Sequence, residues 1–261
     1  MSDTTSLGTM HSTPTTPVID RPVQAPGTRI QPGYIGKSEP RANAKRLLQG
    51  RGAYTDDLRF PRLAQVVYFR SPHAHAKIKK LDLAKARAAP GVIAVVDGYA
   101  VREICSPWIG VLSHLKGIKS PQQFPLAMEV ARWQGEPVAA IVAETRAQAE
   151  DARDLVDAEW EELPAVVDMR ESLAGKYIIH PDLGDNICFK REVDTGEVES
   201  VFKKADVVVE EEFGFGRHTG VCLEPRIILA DYNAGEHSLT VYHNTQSPHM
   251  MQQLFAKHFD I

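Results

Sequence analysis

The sequence predicts an α+β fold, and three observations carry that prediction. A strand, a short helix and a second strand recur twice between residues 63 and 161. Beyond residue 166 the pattern changes to strands with a hairpin signal and one amphipathic helix. The 261 residues are 43% hydrophobic and 25% charged, ordinary values for a globular chain long enough to bury a core without disulfides or metals.

Residues 1–32 hold seven Thr, three Ser and five Pro without apolar periodicity. Such a segment buries too little surface to offset its ordering entropy, so residues 1–33 are expected to form a disordered tail. Arg41 to Leu48 reads as a short helix after Pro40, stopped by Gly50. Leu63 to Arg70 is rich in β-branched and aromatic residues and predicts a strand. Asp82 caps a predicted helix over Leu83–Ala89 that Pro90-Gly91 ends, and Val92–Val96 predicts a buried strand. Residues 99–132 give no clear elements.

Val138–Ala143 is wholly apolar and predicts a strand. Thr145 and Gln148 then match a capping box for a helix to about Val156, with Ala149, Ala152, Leu155 and Val156 as its buried stripe. Asp157–Glu161 predicts the next strand. Further on, Gly196–Lys204 suggests a short helix and Ala205–Phe215 a long strand with alternating Val207, Val209, Glu211 and Phe213. Strands over Ile227–Tyr232 and Ser238–His243 flank Asn233-Ala-Gly-Glu236, a hairpin signal. Ser247-Pro248 opens a helix with Met251, Leu254, Phe255, His258 and Phe259 at helical spacing. Residues 34–165 read as one domain and 166–261 as the opening part of a second. The apolar strands and helix face of that second part need more cover than the sequence supplies, which predicts a partner chain or a continuation.

Thirty basic and 34 acidic residues give a net charge of −4, and that balance offers no reason to propose nucleic acid or an anionic membrane as partner. No apolar run approaches the roughly 20 residues of a membrane span. Cys105, Cys188 and Cys222 are widely spaced, with no Cys-x-x-Cys pair to hold zinc or an iron–sulfur cluster. Few, odd cysteines and the lack of a secretory leader pattern predict a cytoplasmic protein with its cysteines in the core. His73-Ala-His75 has a metal-ligand spacing, but no further ligand stands in register with it, so both are expected to be structural. Gly214-Phe-Gly216 lacks a third glycine and reads as a bulge or turn. The acidic runs at 159–162 and 210–212 read as solvated strand faces.

Nine phrases occur in order after Gly33. They are Arg46–Asp57 (RLLQGRGAYTDD), Arg70–Ala76 (RSPHAHA), Gly135–Ala140 with Val142–Glu144, Glu161–Val167 (EELPAVV), His180-Pro181, Leu183–Asn186, Ala205–Val209, Leu223–Arg226 (LEPR) and Thr245–His249 (TQSPH). This series resembles the large molybdopterin-binding subunit of the xanthine dehydrogenase, aldehyde oxidase and carbon monoxide dehydrogenase family, over its N-terminal part. The resemblance implies an α/β-hammerhead domain over 34–165 and the first part of a molybdenum-cofactor-binding domain over 166–261.

It implies oxidation of a carbon centre in an aldehyde or N-heterocycle, with water as oxygen source. The cofactor implied is molybdenum-molybdopterin cytosine dinucleotide shared with a partner chain, with [2Fe-2S] clusters and FAD on partner subunits. Partners implied are the chain carrying the remaining molybdenum-binding domains, an iron–sulfur subunit, an FAD subunit and a small-molecule substrate. Gln246 matches the family glutamine beside the molybdenum and is the one cofactor-binding residue carried over. The family's Gly-Gly-Gly-Phe-Gly loop and its C-terminal catalytic glutamate have no counterpart in this sequence, so no catalytic residue and no metal ligand is assigned. The resemblance thus predicts one subunit of a split molybdenum hydroxylase, inactive alone. The alternatives are a non-catalytic scaffold or truncated relative, and a metallohydrolase using His73 and His75.

Overall fold

A computed structural model describes residues 33, 36–38, 40–110 and 115–261. Apart from Gly33, the tail expected over residues 1–33 lies outside the described residues. The chain divides between Gly52 and Ala53 into two units. In the first, helix α1 (Ala44–Leu48) begins three residues later than expected, and Gly50 follows it at φ 69° as a left-handed stop.

The second unit begins with a 3₁₀ turn at Thr55–Asp57, followed by strands β1 (Gln65–Arg70) and β2 (Ala76–Asp82). Helix α2 (Ala84–Arg87), strand β3 (Val92–Asp97) and helix α3 (Gly98–Arg102) come next. The unassigned stretch holds three two-residue strands, β4 (Trp108–Ile109), β5 (Gln122–Gln123) and β6 (Val130–Ala131). Strand β7 (Pro137–Ala143), helix α4 (Arg146–Arg153) and strand β8 (Asp157–Glu162) complete this part. After it come helices α5 (Met169–Ala174) and α6 (Val198–Lys204), strands β9 (Ile228–Asn233) and β10 (Ser238–His243), and helix α7 (Pro248–Phe259).

β7 is the centre of an antiparallel sheet ordered β1-β7-β3. Its residues Val138 to Ile141 are buried in succession, so both faces are covered, as its unbroken apolar run requires. Leu83, Ala86, Val95, Ala139, Ile141, Ala143, Ala149 and Ala152 form the core between this sheet, α2 and α4. β3 is an edge, not the buried strand expected: only Val95 is fully buried, and Ile93 is 60% exposed where the pairing shifts register. Thr145 Oγ1 accepts from the Gln148 backbone N–H as the capping motif predicts. α4 ends three residues early, leaving Leu155 largely exposed. Gly91, at φ 76°, lies under the Gln148 side chain, where a Cβ would come within 2.1 Å of Nε2.

A second sheet is ordered β6-β2-β8. β2 was not expected, because Ala-Lys-Ile-Lys-Lys-Leu-Asp is too basic to read as a strand. Its lysines find partners across the ladder: Lys77 and Lys79 lie 3.1 and 3.3 Å from Glu161, and Lys80 lies 3.8 Å from Glu159.

The long strand expected over Ala205–Phe215 is not formed. Residues 205–227 carry no helix or ladder, and Val207, Val209, Phe213 and Phe215 are 76–90% exposed. Alternation alone makes no strand when no neighbour among the described residues offers hydrogen bonds. Gly214 and Gly216 therefore mark no strand end. The hairpin is present, with β9 and β10 antiparallel and Asn233 paired with Ser238. Of the cysteines, Cys105 is buried, but Cys188 and Cys222 are exposed, which corrects the core expectation for those two. No described helix is long and apolar enough to cross a membrane.

Candidate functional site at the start of helix α7

Gln246 sits in a bend between the end of β10 at His243 and the start of α7 at Pro248. The turn is shaped locally. Thr245 Oγ1 accepts from the Ser247 backbone N–H at 3.1 Å, and Pro248 fixes the first helical φ. Ser247 occupies the N-cap position but its side chain makes no capping hydrogen bond. The first backbone N–H groups of α7 thus meet no side-chain oxygen from Ser247, and they carry the positive end of the helix dipole.

Gln246 itself is exposed, with its carboxamide turned to no described partner. An exposed amide donor next to an uncapped helix N-terminus is a donor set suited to an anionic or oxygen-rich ligand. A cofactor bearing phosphates and terminal oxygen ligands fits that chemistry. His249 and Met250, the next residues of the first turn, are also exposed.

α7 is docked through its second half. The Phe255 and His243 rings meet edge-on with centroids 5.9 Å apart. At its far end, Ser106 N–H donates to the His258 carbonyl at 3.0 Å, and Ser106 Oγ lies 2.9 Å from His258 Nδ1. A cavity of about 500 Å³ between β10 and α7 is lined by Leu239, Val241, Met251 and Phe255 among others, and not by Gln246.

The His180–Asn186 phrase has a structural use. Asn186 Oδ1 accepts from Ile179 N–H, and its Nδ2 donates to the Tyr177 and Ser172 carbonyls. Lys119 Nζ pairs with Asp185 at 2.7 Å and holds that carboxyl below its usual range. Arg132 Nε donates to the Ile179 carbonyl at 3.3 Å. Burial, then the charge of Arg132, pushes the His180 imidazole down. Lys119 and Arg132 were missed because they lie in the stretch that gave no elements, and single basic residues there carry no pattern.

His73 and His75 lie in the turn before β2, not on a strand. His73 Nδ1 is 3.5 Å from Glu162, and His75 Nδ1 contacts the Pro164 carbonyl at 2.8 Å. Among the described residues no group of three His, Cys, Asp or Glu gathers to hold a metal ion.

Two family models match. "Aldehyde oxidase and xanthine dehydrogenase, a/b hammerhead domain" matches residues 49–164, and "Molybdopterin cofactor-binding domain" matches residues 179–261. The chain is 36% identical over 227 residues to the nicotine 6-hydroxylase large subunit of Paenarthrobacter nicotinovorans, covering 87% of this chain and 28% of that protein. It is 31% identical over 216 residues to the nicotinate dehydrogenase large molybdopterin subunit of Eubacterium barkeri, covering 82% of this chain and 48% of that protein. The quinoline 2-oxidoreductase structure from Pseudomonas putida 86 superposes with a TM-score of 0.82 at 34% identity, over 88% of this chain and 29% of that one. The chain therefore spans less than half the length of each of these relatives.

Proposed function

This chain belongs to the aldehyde oxidase and xanthine dehydrogenase family of molybdenum hydroxylases, and we propose that it supplies the hammerhead and one side of the molybdenum site in a multi-subunit oxidoreductase. In this reading residues 34–165 are the hammerhead and residues 166–261 open the cofactor-binding domain. The observation that carries it is the exposed Gln246 carboxamide beside the uncapped start of α7. The cofactor, read as molybdenum-molybdopterin cytosine dinucleotide, would supply the two-electron oxidation of a carbon centre, with water as the oxygen source.

Gln246 would donate a hydrogen bond that orients a terminal ligand of the metal, and the first turn of α7 would favour its negative charge. The remaining cofactor-binding segments and the base would come from polypeptide outside these residues. [2Fe-2S] and FAD subunits carry the electrons away, and the assembly is cytoplasmic. Nicotine, nicotinate and quinoline, the substrates in the names of the relatives, are N-heterocycles, which favours that class over aldehydes.

The test is purification of the native complex through a tag on this chain, with mass spectrometry and metal analysis of the same sample. Larger chains with molybdenum and iron are the expected result. Gln246→Ala should keep molybdenum bound while turnover falls about 10- to 100-fold. A lone chain without either metal overturns the enzymatic reading in favour of a scaffold.

A further inference from the structure

From residue 201 to 226 every residue but one is exposed, and the exception is Glu224. Its Oε1 accepts from both the backbone N–H and the Oγ1 of Thr55, at 3.0 and 3.1 Å. Thr55 opens the 3₁₀ turn that precedes β1, so a carboxylate from a largely exposed segment, held elsewhere by the Arg170–Glu212 pair, is fastened 169 positions back in the chain. The next residue continues the line. The Pro225 carbonyl accepts from Asn244 Nδ2 at 3.3 Å, and Asn244 stands two residues before Gln246. A second contact runs beside this one: the Phe60 and Tyr242 rings lie 5.5 Å apart, joining the same pre-β1 segment to β10.

We infer that Glu224 is a positioning residue for Gln246. It ties the Leu223–Arg226 turn to Thr55, and through Pro225 and Asn244 it sets where the β10–α7 bend holds the Gln246 amide. With Ser106 and His258 gripping the other end of α7, the bend is fixed from both sides. The inference rests on the reading of Gln246 given above. A carboxylate that accepts two hydrogen bonds from one residue fixes position better than a single contact, and displacements of about 1 Å at a reacting centre cost on the order of 100-fold in rate.

The test uses the purified holoenzyme complex carrying Glu224→Ala, Glu224→Gln, Gln246→Ala, or Glu224→Ala with Gln246→Ala. Readouts are molybdenum content, the Mo(V) electron paramagnetic resonance spectrum after dithionite reduction, and kcat and KM on quinoline. Glu224→Ala is expected to keep its molybdenum, shift the Mo(V) spectrum toward that of Gln246→Ala, and lower kcat about tenfold with KM little changed. Glu224→Gln, which keeps an acceptor oxygen for Thr55, restores the wild-type spectrum. The double variant matches Gln246→Ala alone, because both act through one amide.

A Glu224→Ala loss that multiplies with that of Gln246→Ala overturns the inference, as does a wild-type spectrum in Glu224→Ala. If Glu224→Ala fails to assemble, Asn244→Leu cuts the same line nearer the bend and must show the same dependence on Gln246, or the inference falls. A silent Gln246→Ala removes the reading of Gln246 and this inference with it. An altered Gln246→Ala beside a silent Glu224→Ala removes only the inference.

Discussion

The residues up to about 164 and those beyond differ most in how they bury themselves. Among the described residues, Leu229 is the one buried hydrophobic residue after Ala152. The first part closes a core between the β1-β7-β3 sheet, α2 and α4. The second exposes Val207, Val209, Phe213, Phe215, Val221 and Leu223 and is held mainly by polar fasteners: Asn186, Lys119–Asp185, Thr55–Glu224 and Ser106–His258. Burial specifies the first part from within, whereas hydrogen bonds to that frame specify the second. The second part is therefore read as needing cover from outside these residues.

That contrast can be broken by measurement. The largest effect is expected at Ile141, fully buried in the central strand. Ile141→Ala should cost about 2–5 kcal/mol in urea unfolding, and a loss below 1 kcal/mol would deny the first part its core. Thr145→Ala removes the side-chain cap of α4 and should cost about 1 kcal/mol, with faster amide exchange confined to α4 and its neighbours.

Glu136 gives a smaller, pH-dependent effect. Burial raises its carboxyl above the ordinary 4.5, although Arg132 N–H and the Arg132 charge oppose this. The folded state then holds its proton to higher pH than the unfolded state does. The stabilising contribution is complete below about 4.5 and is lost as pH rises through the folded value. Glu136→Gln should flatten that decline in a stability–pH series, and an unchanged slope would count against burial as the cause. The smallest effect is expected at Phe213, 90% exposed. Phe213→Ser should change unfolding of the free chain by less than about 0.5 kcal/mol while weakening co-purification of larger chains. A loss above 1 kcal/mol in the free chain would erase the contrast between the two parts.

What could be read in advance follows the same divide. β7, the α4 cap and the β9–β10 hairpin were legible because apolar runs, Thr145/Gln148 and Asn233–Gly235 are local signals that tertiary packing reinforces. β2 was hidden because its lysines are stabilised by Glu159 and Glu161, some 80 residues away, and charge so placed does not read as a strand. Ala205–Phe215 failed in the opposite direction: its alternation is plain, but a ladder also needs a neighbour. Gln246 can be proposed only through the Thr-Gln-Ser-Pro-His phrase, since an isolated glutamine carries no chemical signature. Glu224 stood inside a quoted phrase, Leu-Glu-Pro-Arg, yet its tie to Thr55 emerges only in three dimensions.

The order of the central sheet bears on how the chain is made. β1 and β3 both precede β7 in the chain, yet both pair only with β7, which begins at Pro137. On the ribosome the two edge strands must therefore wait, unpaired, until the whole stretch from Asp97 to Pro137 has been synthesised. Lengthening that stretch would extend the vulnerable interval while costing the finished fold little, about 0.6 kcal/mol for each doubling. Chaperone demand, more than final stability, would limit how far evolution can elaborate this excursion.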